Sequence, residues 1–100
     1  MAQPAVVPTI PAPGAWTAWH SPSKHDLFVF GEVTKPLIGV QYTLFAAATQ
    51  IVAGTNSEFL CSCKPVHPGL DEAILLMFVH QPPDGKPFIA EMKRISPGQE

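Results

Sequence analysis

The spacing of apolar residues changes period at Val40, and that change restricts the chain to a small set of folds. Upstream, Leu27, Phe30, Val33 and Leu37 recur at helical spacing, with Val29 on a neighbouring stripe. Two start signals precede them: Ser21 before Pro22, or Ser23 with Asp26 three residues on. Pro36 ends or kinks the last turn and Gly39 closes it, so the spacing predicts one helix over about residues 23–36. Phe28 and Gly31 make it a mediocre helix by propensity, one that packing must hold. Downstream, Tyr42, Leu44, Ala46 and Ala48 alternate with Thr43, Phe45, Ala47 and Thr49 as a long strand. Alanine is a poor strand former, but three in a row suit a strand that curves closely around the helix. A turn at residues 53–56 leads to a second strand carrying Phe59, Cys61 and Cys63, then a loop over 65–71 with Pro68-Gly69. Residues 72–80 form a dense apolar strand, Pro82-Pro83-Asp84-Gly85 a strong turn, and residues 87–95 the closing strand. One helix followed by four antiparallel strands is an α+β architecture in which the sheet wraps the helix.

The first turn of that sheet has the wrong composition for a solvated loop. Connecting segments favour Ser, Asn, Asp and Lys because they face water. Here Ile51, Val52 and Ala53 stand just ahead of Gly54 and Asn56, the residues best able to reverse the chain. Apolar side chains displayed on a turn do little for the fold itself. They suit a partner with a groove.

The N-terminal part is different in kind. Residues 1–13 hold Pro4, Pro8, Pro11 and Pro13 among small apolar residues, which predicts an extended, mobile arm. Residues 14–20 carry both tryptophans, Trp16 and Trp19, directly after Pro13-Gly14. Such tryptophans either dock on the domain or wait for a partner. With 100 residues there is room for one domain over 14–96, followed by a short polar tail at 97–100.

Composition removes several function classes. A net charge of -2 with six basic residues lacks the basic stripe of a nucleic-acid binder. The fully apolar run from Ala73 to Val79 is far short of the ~20 residues a membrane span needs. The N-terminus shows no basic start, apolar block and cleavage site, so the expectation is a soluble, cytoplasmic protein. Cys61 and Cys63, one residue apart on a strand, point the same way near the upper limit of disulfide reach. They read as small buried or half-buried groups in a reducing compartment. His20, His25, His67 and His80 have no metal-ligand spacing, and none sits in a nucleophile motif. No glycine-rich phosphate loop is present. Neither an enzyme nor a cofactor is expected.

Three places in the chain resemble one family. Gln50-Ile51-Val52-Ala53-Gly54 is similar to the Gln-x-Val-x-Gly signature of the cystatins, continued by Thr55-Asn56 as in their stefin branch. Pro13-Gly14, a short arm and a Pro22-Ser23 helix start resemble the stefin N-terminus. The segment Phe78-Val79-His80-Gln81-Pro82-Pro83-Asp84-Gly85-Lys86-Pro87 is similar to the stefin stretch bearing the second binding hairpin. Order and spacing agree over residues 13 to about 95. The resemblance implies a cystatin-like fold and a reversible, tight-binding, non-covalent inhibitor of papain-like (cathepsin-type) cysteine proteases. It assigns protease contact to Gly14, Ala15 and Trp16 of the arm, to Gln50, Ile51, Val52, Ala53 and Gly54 of the first hairpin, and to Pro82 and Pro83 of the second. Aligned at one end of the sheet, these would form a wedge that covers a catalytic thiol without presenting a peptide bond for attack.

The chain also departs from the family pattern. Gly14-Ala15 stands where two glycines are common, Pro83 near the place of a histidine, and Ser57-Glu58 in place of an aromatic. The alternative is therefore a cystatin-fold interaction protein that binds another partner through the same edge without inhibiting a protease. The resting state is expected to be a monomer, with a domain-swapped dimer open to it if the first hairpin straightens and merges two strands into one.

Overall fold

Asp26 explains how the helix begins and where it faces. In the computed structural model, which describes residues 14–95, helix α1 runs Lys24–Thr34 with Ser23 as its N-cap. The Ser23 hydroxyl accepts from the Asp26 N–H at 3.0 Å, and the Asp26 carboxylate accepts from the Ser23 N–H at 2.9 Å. That reciprocal pair satisfies two N–H groups that the helix start would leave without partners. Of the two start signals in the sequence, the Ser23 one is used. The buried stripe is Asp26, Val29, Phe30 and Val33, so the predicted place of Leu27 on it is corrected: Leu27 is 52% exposed. The helix is also shorter than expected at its C-terminal end. Lys35 caps it ahead of Pro36, and Leu37 lies beyond, half-buried.

Four strands follow, β1 (Val40–Val52), β2 (Gly54–Pro65), β3 (Ala73–Gln81) and β4 (Phe88–Arg94), paired antiparallel in chain order. The helix packs against this sheet, giving the α+β arrangement, consistent with a cystatin-like fold, that the period change predicted. Val29, Phe30 and Val33 meet Ala47, Phe59, Cys61, Met77 and Val79, with Tyr42, Leu44, Leu75 and Ile89 around them. Phe30 sits edge-on to both Phe59 (centroids 5.5 Å apart) and Tyr42 (6.5 Å). Ala47 is fully buried in this cluster, and its small side chain leaves room for the helix.

The alternation expected along β1 is broken once. The register with β2 shifts between Leu44 and Ala46, so Phe45 is an extra residue and the side-chain parity reverses there. Tyr42 and Leu44 face the helix, and beyond the bulge it is Ala47 that does so, so the simple alternation that set Ala46 and Ala48 on one face with Tyr42 and Leu44 is not kept. A second shift, between Phe78 and Val79 on the β3–β4 side, leaves Ala90 without an opposite residue.

Chain segment 14–20 lies along the free side of β1. Thr17 N–H donates to the Thr49 carbonyl at 2.8 Å, and Thr49 N–H to the Thr17 hydroxyl at 3.0 Å. His20 and Ala47 exchange both backbone hydrogen bonds at 2.9 Å. His20 also reaches the helix start, its Nε2 3.1 Å from the buried Asp26 carboxylate. Of the two outcomes open for the tryptophan segment, docking is the one adopted. The expected Pro-rich arm at 1–13 and the tail at 97–100 lie outside the described residues.

Candidate functional site

The end of the sheet that holds the β1–β2 turn gathers three separate parts of the chain. The turn is tight: Val52 pairs with Gly54, leaving only Ala53 between the strands. It is tighter than the turn expected over residues 53–56, and Thr55 and Asn56 already belong to β2. Ile51 (50% exposed) and Val52 (41%) hold their side chains to solvent, and Ala53 is exposed beside them. Strand pairing fixes their backbone, so the apolar tip is displayed by a rigid ribbon.

The β3–β4 connection rests directly on this turn. Gly54 has φ +99°, and a Cβ there would collide with the Gln81 carbonyl oxygen and come within 3.1 Å of the Pro82 Cα. Only glycine lets the two backbones meet so closely. Pro82 is half-buried at this contact while Pro83 is exposed. The loop closes on itself through Gly85 N–H to the Pro82 carbonyl at 3.3 Å.

The arm arrives from the other side of the turn. Gly14 N–H donates to the Ile51 carbonyl at 2.9 Å. Gly14 and Ala15 are exposed, and Trp16, opposite Gln50, is 40% exposed. Trp16 lies across the face of the sheet away from the helix. With Asn56, Phe78, His80 and Glu91 it lines an open depression of about 260 Å³. That is below the ~300 Å³ at which small-molecule sites usually begin. Every residue that the resemblance assigned to protease contact is therefore at one end of the molecule or on the face next to it.

Three residues of this end were not singled out from the sequence for the roles they have. Gln50 Nε2 donates to the Gly14 carbonyl at 2.8 Å, Asn56 Nδ2 donates to Gln50 Oε1 at 2.8 Å, and His80 Nδ1 lies 2.6 Å from Asn56 Oδ1. Gln50, Asn56, His80 and Phe88 are register partners across all four strands. Counting outward from Ala53 pairs position 50 with position 56, which was the available signal.

Cys61 and Cys63 are free; Cys61 is buried against the helix, and His80 stands on the opposite face of the sheet. Burial first, and then Cys63, push the Cys61 thiol up to about 11, so it carries little thiolate at neutral pH. Among the described residues no three His, Cys, Asp or Glu side chains lie close enough to hold a metal ion, and no helix is long and apolar enough to cross a membrane. No family model, curated protein or solved structure matches the chain.

Proposed function

We propose that this protein is a reversible, non-covalent inhibitor of papain-like cysteine proteases, and that it acts through the edge formed by the arm, the first hairpin and the second loop. One observation carries the reading. Gly14 is bonded to Ile51, and Gly54 abuts Gln81 and Pro82, so three segments remote in sequence make one apolar ridge. A ridge of this kind fills a cleft. Ile51 and Val52 bring apolar surface, and Ala53 at the apex is small enough to approach a recessed thiol. Both hairpin backbones are already fixed, which reduces the ordering cost on docking. Occlusion alone stops the protease. No group of the inhibitor reacts, which agrees with a buried, protonated Cys61. The reading carries a cytoplasmic location, in keeping with two cysteines left as thiols.

The test is a titration of papain with a fluorogenic peptide substrate. Stoichiometric inhibition is expected, weakened by at least about tenfold in Val52→Asp, as for a central interface residue. Ile38→Asp is the control, because Ile38 is exposed near the start of β1, at the far end of the sheet. A folded protein that leaves papain untouched at micromolar concentration would favour the non-inhibitory interaction protein instead. Equal weakening by both variants would remove the hairpin tip from the interface.

A further inference from the structure

We propose that Gln50, Asn56 and His80 are positioning residues, forming a relay of side-chain hydrogen bonds across three strands that sets where the arm sits at Gly14. What the positioned arm serves rests on the proposed inhibitory reading; the positioning itself does not.

The direction of the relay follows from its last member. The Gly14 carbonyl can only accept, so Gln50 must present its amide nitrogen to it. The Gln50 oxygen then faces Asn56, which must donate in turn, and the Asn56 oxygen faces His80. His80 therefore carries its proton on Nδ1. Each step admits one orientation, and the backbone of the arm decides the tautomer of a ring on β3. Bonds aligned head to tail in this way reinforce one another.

The surroundings hold the relay in place. Phe88 on β4 sits edge-on to His80 with centroids 5.7 Å apart, which anchors the ring from the base of the second loop. Trp16 lines the same depression as Asn56 and His80, on the same face of the sheet as the relay. At Gly14 both backbone polar groups are engaged, the N–H by Ile51 and the carbonyl by Gln50. One rung of the sheet thus ties arm, first hairpin and second loop together just behind the ridge. On this assignment the Gln50 side chain is committed to the arm and leaves partner contact to its neighbours at 51–53.

The experiment measures amide exchange by NMR in the full chain without any protease. Gln50→Met is expected to speed exchange of the Gly14 N–H about fivefold, the worth of one net hydrogen bond. His80→Phe, remote from the arm in sequence and on another strand, should speed it about two- to threefold through weakened cooperativity. His80→Gln restores a donor to Asn56 and should return the rate toward that of the unaltered chain. The His20 and Phe59 amides report the far end of the arm and the core, and should not change. A Gly14 rate unmoved by either Gln50→Met or His80→Phe overturns the relay, as does a rise shared by all amides, which would signal general loosening. Loss of inhibition with the exchange pattern intact would overturn the proposed function alone. Intact inhibition with flat exchange would overturn the relay alone.

Discussion

Gly54→Ala is the substitution that best probes how the ridge is assembled. Two separate costs meet at this residue. With φ at +99°, an L side chain is strained whatever the space around it, at about 1–2 kcal/mol. The new methyl would also drive into the Gln81 carbonyl and crowd the Pro82 Cα at 3.1 Å, and both are backbone groups with no easy escape. Forced overpacking of this kind adds about 1–3 kcal/mol. Gly69→Ala separates the two, because Gly69 has φ +90° but a methyl there would meet nothing within 4 Å beyond its own chain neighbours. It should lose only the conformational part, about 1–2 kcal/mol. Thermal unfolding followed by tryptophan fluorescence reads the difference. In a domain this size each kcal/mol moves Tm by about 4–8 °C, so Gly54→Ala should melt at least about 4 °C below Gly69→Ala. Equal melting temperatures would mean that the first hairpin does not lean on the second loop, and the argument for a preassembled ridge would fail.

Three further outcomes follow from the core, the helix start and the buried thiol. Phe59→Ala removes a fully buried ring that Phe30 meets edge-on, and should cost about 3–5 kcal/mol in urea unfolding. Ser23→Ala deletes the hydroxyl that accepts from Asp26 N–H, and should lower the urea midpoint by the equivalent of about 1 kcal/mol without changing the m-value. The Cys61 thiol is raised from 9.0 to about 11 on folding, so the folded state holds its proton more tightly than the unfolded chain. Its contribution is complete below pH 9.0 and is lost as pH rises toward about 11, and burial raises the Tyr42 phenol in the same direction. A Cys61→Ala variant should show a flatter alkaline stability profile than the unaltered chain over that window, and identical slopes would refute the shift.

Much of this architecture is legible in the residue pattern, and the places where it is not have physical causes. The helix, the strand order and the turns at Ala53 and Pro82 follow from periodicity and turn chemistry. The buried helix stripe differs from the periodic one because its first position is Asp26, a polar residue that hydropathy discounts. Its carboxylate is tolerated there only because Ser23 and His20 meet it. The parity of β1 departs from simple alternation beyond Phe45 because a bulge is a decision of the paired sheet, invisible in a run of alanines. The ridge is legible because an apolar turn contradicts its local role. The relay is not, since Gln50, Asn56 and His80 are ordinary polar residues until the register sets them in line.

Docking of residues 14–20 has a consequence for the chain among its own copies. Long outer strands offer a template on which a second molecule can add, the first step toward fibrils. From Ala47 to Ile51 that template is already occupied by Gly14, Thr17 and His20. At the opposite margin, β4 carries Glu91, Lys93 and Arg94, charges that resist stacking of like upon like. A version shortened past His20 would surrender the first safeguard, so truncation is expected to reduce solubility.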